Sequence, residues 1–171
     1  MPPGLSIAEL MEYTLWERRK WQARLQREGP EVLAIRAGPH GDGRFTTLGD
    51  LVRHMFSAEK RYVERLRGDT LTDPETIPNN DLEAMFRFGE KSREDLKRLV
   101  ETFPAGEWET SREMKILDYR IQVSPRKIVM HVLMHEIRHW AQIATLLRLQ
   151  GVTDVFHDFL FSPVMGGEVR G

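Results

Sequence analysis

Apolar residues return every three or four positions in four separate stretches of the chain. Each stretch opens on a capping signal and closes on glycine or proline, the pattern of amphipathic helices. Ser6 to Glu9 is a capping box, and Ile7, Leu10, Met11, Thr14, Trp21 and Leu25 mark a buried side that ends at Gly29-Pro30. Residues 30–45 are rich in glycine and proline and read as loop, with His40 solvated in it. Thr47 to Asp50 opens a second helix with Leu48, Leu51, Val52, Met55, Tyr62 and Leu66 on its apolar face; Gly68 stops it, and a polar loop follows. Asn80 to Glu83 resembles a further cap, before Leu82, Met85, Phe86, Gly89, Leu96, Leu99, Val100 and Phe103; Pro104 ends that helix. Ser124-Pro125 starts the last helix and Gly151 stops it. The predicted helices are 7–28, 47–67, 80–103 and 125–150. Tyr119, Ile121 and Val123 alternate with polar residues, which predicts a short strand, paired in a hairpin with residues near Trp108. The expected architecture is all-α: an antiparallel four-helix bundle with a long crossover, carrying the short β-hairpin, before the last helix. Phe156, Phe159, Leu160 and Phe161 are expected to fold back on the helices.

The last helix carries the candidate chemistry. Ile128, Val132, His135, His139, Ile143 and Leu146 form one stripe, so two histidines interrupt an apolar face. At i and i+4 their imidazoles stand about 6 Å apart along the axis, a common way to offer two nitrogens to one metal ion. The alternative is a hydrogen-bonded pair of core histidines. His131 lies one turn earlier, on a stripe that continues through Arg138, Gln142 and Thr145, so it is less embedded. His135-Glu136-Ile137-Arg138-His139 also matches the H-E-x-x-H pattern of metallopeptidases. Gln142 and Thr145 stand where the extended form of that motif needs glycine and histidine, and a distant glutamate ligand could come only from Glu168 near the end of the chain. Glu136 is therefore read as a surface carboxylate or one supporting the ligands, though it stays a catalytic candidate together with His131.

Length and composition narrow the classes. At 171 residues, 40% hydrophobic and 30% charged, the chain is expected to form one domain, 1–171. A net charge of −1 gives no footprint for nucleic acid or a membrane surface. No apolar run reaches the roughly 18 residues of a membrane-spanning helix. The start lacks the pattern of a secretory signal. The chain has no cysteine, which excludes disulfides, thiolate ligands and a cysteine nucleophile and suits a cytoplasmic location.

Several segments together resemble the DinB-like (DinB/YfiT) family over nearly the whole chain. They are Leu51-Val-Arg-His54-Met-Phe-Ser-Ala-Glu59-Lys-Arg-Tyr62 up to Gly68, then His135-Glu-Ile-Arg-His139-Trp-Ala-Gln142, then Gly151 to Asp158 beside aromatics, with Trp16 in the first helix. Trp140 and Ala141 depart from the family's usual arginine and glycine. The resemblance implies that His54, His135 and His139 hold one divalent metal, and it is what selects His54 from the scattered histidines. Zinc or nickel suits three imidazoles, and such a site leaves a position for water or substrate. It further implies a metal-dependent enzyme acting on a small molecule, foremost transfer of a low-molecular-weight thiol that must arrive as cosubstrate. Hydrolysis by metal-activated water and a non-catalytic metal-binding protein of stress responses are the rivals. A homodimer is expected on the resemblance alone.

Overall fold

The computed structural model describes residues 4–38, 44–153 and 158–166. His40, Phe156 and Glu168, assigned above to a loop, the returning tail and the chain's end, lie outside the described residues.

Among the described residues, four long helices form where the capping signals place them. Helix α1 (Ile7–Glu28) starts at Ser6, whose side chain accepts from the Glu9 amide while Glu9 reaches back to the cap. Helix α2 (Leu48–Arg67) starts on the reciprocal pair Thr47 and Asp50 and ends at Gly68, left-handed at φ 76°. Helix α3 (Leu82–Thr102) is capped by Asp81 rather than Asn80, because the Asp81 carboxylate accepts from the Ala84 amide at 2.9 Å. Helix α4 (Pro125–Leu149) has Ser124 as cap and proline in its first turn. Its 25 residues span about 37 Å.

Between α3 and α4 lies an antiparallel hairpin, β1 (Arg112–Ile116) with β2 (Tyr119–Val123), in the register Arg112↔Val123 to Ile116↔Tyr119. The strand expected at 119–123 is there, but its partner is 112–116, not the residues at Trp108. A two-residue turn at Leu117-Asp118 sets that register. Trp108 packs on Phe103 instead, with ring centroids 4.9 Å apart.

Side-chain pairings give the helix directions. Arg18 meets Glu136 and Trp21 stacks on Trp140 at 5.2 Å, so α1 and α4 run parallel. His54 meets His135 while Tyr62 meets His131, so α2 and α4 are antiparallel. Phe56 meets Phe86 and Lys60 meets Asp95, so α2 and α3 run parallel. This corrects the expectation of antiparallel neighbours throughout. Parallel consecutive helices need a connection that returns the whole helix length, and the segment after Gly68 supplies it. Thr72 bonds to Glu64, Glu75 to Arg53 and Asn79 to Asp50, stepping back along α2 toward its start. A crossover thus lies between α2 and α3, as well as the long hairpin-bearing connection before α4.

The interior falls into two apolar groups. One joins Trp21, Leu25, Leu48, Phe56, Phe86, Trp140 and Leu147. The other joins Leu10, Val63, Leu96, Val129 and Leu133. The tail partly returns: Phe159 sits edge-on against Tyr13 at 4.9 Å and Val164 is buried, whereas Leu160 points outward.

Asp50 ties the start of α2 to the crossover. It accepts from the Thr46 and Thr47 amides at 3.1 and 3.0 Å and from the Asn79 amide group at 2.6 Å. Burial alone would raise its pKa, but these hydrogen bonds outweigh burial and hold it below the ordinary carboxylate range. A lowered pKa contributes stability above the unfolded value, lost as pH falls through the folded one. Asp50→Asn should therefore cost about 1 kcal/mol at pH 7. In urea unfolding, its deficit against wild type should shrink once pH drops below about 4.

Candidate metal centre

Three imidazoles from two helices converge. His135 and His139 stand one turn apart on α4, and His54 faces them from the second turn of α2. The His135 Nε2 lies 3.1 Å from His54 Nε2 and 3.0 Å from His139 Nε2, and the three rings are steeply inclined to one another. Tetrahedral ligands at about 2.0–2.1 Å from an ion are separated by about 3.3 Å, close to these spacings. Among the described residues, these three histidines are grouped compactly enough to hold a metal ion.

The supporting bonds fit that use. The His139 Nδ1 lies 2.5 Å from the Gln142 side-chain oxygen, which can only accept, so the ring proton sits on Nδ1 and Nε2 keeps its lone pair. Phe45 covers one side, tilted against His54 at 4.5 Å and edge-on to His139 at 6.1 Å. Burial first, and then the neighbouring His139, His54, Arg138 and His131, push the His135 pKa down to about 2, so His135 is neutral. A neutral imidazole is the form that ligates.

The cluster forms part of the wall of a cleft of ≈ 770 Å³, to which His54, His131 and His135 all contribute. His139 is 1% exposed and lies behind them. His131 is exposed on the cleft side, as its polar stripe implied, with its ring 5.6 Å from His135 and 5.4 Å from Tyr62.

Glu136 is neither a surface group nor hydrogen-bonded to the histidines. It is 3% exposed and faces the interior, where Arg18 donates to both of its oxygens at 2.8 and 2.7 Å, Arg93 donates at 2.5 Å and the Trp140 indole at 3.1 Å. Both arginines also reach Glu59, at 3.3 and 3.0 Å. Burial opposes ionisation of Glu136, but the arginines overcome it and hold its pKa below the usual value. A water-activating role, as in a metallopeptidase, is thus incompatible with its position. Trp140, the departure flagged beside the motif, likewise packs inward and does not line the cleft.

Sequence reasoning named Gln142 in the motif without giving it a task. Its i+3 spacing from His139 was the available signal. Arg18, Glu59 and Arg93 were missed, since charged residues at helical period look like any solvated face.

A helical protein that brings three histidines from two helices to the wall of an open cleft belongs to a recognisable class of candidate metal-centre proteins. The DinB family model matches residues 1–167, and the chain belongs to the DinB family. No curated protein matches it.

The inward position of Glu136 has a measurable consequence. Glu136→Gln leaves two buried guanidinium groups facing one carboxylate and should cost about 3 kcal/mol of stability by urea unfolding. Below its own unfolding midpoint the variant should still present the three histidines in their cluster, seen as unchanged imidazole resonances by NMR.

Proposed function

We propose that His54, His135 and His139 hold one divalent metal ion, zinc or nickel, in a single four-helix-bundle domain, and that the protein is a metal-dependent enzyme of small molecules. The observation that carries this reading is the convergence of three Nε2 atoms at the wall of an open cleft. Three protein ligands with space beside them is the pattern of catalytic rather than closed structural sites.

A divalent ion held there supplies Lewis acidity, which makes a thiol or water ligand a better nucleophile near neutral pH. The chain's own groups do the rest. Gln142 fixes the tautomer of His139, and Phe45 packs against His54 and His139. His131 stands in the cleft beside the cluster, placed to touch a bound substrate. With no cysteine in the chain, any thiol arrives as a cosubstrate. Membership of the DinB family favours thiol transfer. The open site serves hydrolysis by activated water equally well, which makes a hydrolase the rival.

Metal analysis of tag-free protein should give about one divalent ion per chain. His54→Ala, His135→Ala and His139→Ala should each lose most of it. His131→Ala should retain it, and Gln142→Ala should weaken binding by about 10–100-fold. Retention of metal by the His139 variant together with loss by the His131 variant would overturn the ligand set. For activity, metal-loaded protein is offered thiols with electrophilic acceptors, beside ester and amide substrates. Conjugation that disappears with the metal supports thiol transfer, and hydrolysis independent of thiol replaces it with the rival.

A further inference from the structure

The chain carries a net charge of −1, yet the cleft beside the histidines is lined by five arginines against two acids, Asp50 and Glu75. Both acids are committed. Asp50 is taken by the α2 cap, Asn79 and Arg53, and Glu75 lies 2.9 Å from Arg53. Arg53 is thereby neutralised. Arg61 and Arg65 are not.

Arg61 lies on the cleft two turns beyond His54, about 10 Å along α2, and Arg65 one turn further. Among the described residues no carboxylate pairs with the Arg61 guanidinium, and its Nε is buried without an acceptor. Arg65 gives one hydrogen bond to the Arg61 carbonyl at 3.3 Å and lies over the Tyr62 ring at 5.5 Å. Two arginines one turn apart repel each other, and Glu64, which lies between them in the chain, is engaged by Thr72 and Lys60. An arrangement of this kind is relieved by an anion that accepts from both.

Arg138 completes the set from the facing helix. Its Nη2 lies 3.3 Å from the His139 Nε2, the atom whose lone pair would ligate the ion. One lone pair cannot serve a metal ion and an N–H together, so an ion held at the histidines would release this guanidinium, which already lines the cleft. Across from the arginines, Ile116 and Leu117 at the hairpin tip give the cleft an apolar wall. Leu117 holds φ 53°, a left-handed conformation unfavourable for leucine, at the point where it lines the cleft.

We infer that the cleft recognises small molecules that carry an oxyanion, a carboxylate or a phosphate, held by Arg61, Arg65 and Arg138 while the reacting end lies at the histidines. The inference rests on the reading of this cleft as the substrate site, but its anion-binding part does not need the metal.

Calorimetric titration separates the two. Metal-free and zinc-loaded protein are each titrated with mercaptosuccinate, with neutral thioglycerol, and with succinate and inorganic phosphate as thiol-free carboxylate and phosphate probes. Mercaptosuccinate should bind at least about tenfold more tightly than thioglycerol in both forms, because hydrogen bonds to charged groups contribute on that scale. The better of succinate and phosphate identifies the oxyanion. Arg61→Gln and Arg65→Gln should each abolish most of the preference while leaving zinc content unchanged. Arg138→Gln, at an exposed position, should reduce the preference chiefly in the zinc-loaded form. Failure to load zinc would sink the metal reading while the metal-free titrations still decide this one. Equal affinity for the anionic and neutral thiols, or an undiminished preference in the arginine variants, would overturn it. So would binding of a DNA oligonucleotide with no binding of the small anions.

Discussion

One buried ionic network sets the positions of all four helices. Arg18 comes from α1, Glu59 from α2, Arg93 from α3 and Glu136 from α4, and all four side chains are at most 8% exposed. Two positive charges meet two negative ones, Thr14 and the Gly89 carbonyl accept further hydrogen bonds from the arginines, and the Trp140 indole donates one to Glu136. On each helix the network residue falls between the members of the two apolar groups. Such a network adds little net stability over a well-packed apolar core, because desolvating the charges is costly. Its effect is on geometry. A helix rotated or slipped by one residue would leave a charge stranded in the interior, a cost of several kcal/mol. The apolar faces alone would tolerate more play.

The metal-centre geometry follows from that constraint. Glu136 lies between His135 and His139 on α4, and Glu59 lies five residues after His54 on α2. Pinning each glutamate inward turns the neighbouring histidines toward the shared groove between α2 and α4. The tautomer at His139 is then set by Gln142 on the same helix, independent of the rest of the fold. The sequence His-Glu-x-x-His that suggested a peptidase thus has another physical reason. The glutamate holds the helix, and the histidines beside it are what the helix presents.

Much of this was legible from local signals. The capping pairs Ser6/Glu9 and Thr47/Asp50 and the Ser124-Pro125 start placed three helices to within a residue or two, because such signals act within one turn. The i, i+4 pair His135 and His139 was legible for the same reason. What lies between elements was not. Nothing local told Arg18 or Arg93 from an exposed arginine, since their burial depends on acids supplied by two other helices. The parallel course of α2 and α3 was hidden too, because the crossover is built from scattered polar contacts such as Asn79 to Asp50 rather than from a periodic pattern. His54 was located by family resemblance, and only the tertiary structure brings it to the α4 pair.

Diffraction from a crystal of tag-free protein, recorded at the absorption edge of the bound metal, tests the central claim most directly. A single anomalous peak about 2.0–2.1 Å from the Nε2 atoms of His54, His135 and His139, with its remaining coordination position facing the cleft, is the result expected. A peak elsewhere on the protein, or one closed off by a fourth side chain, would contradict the account.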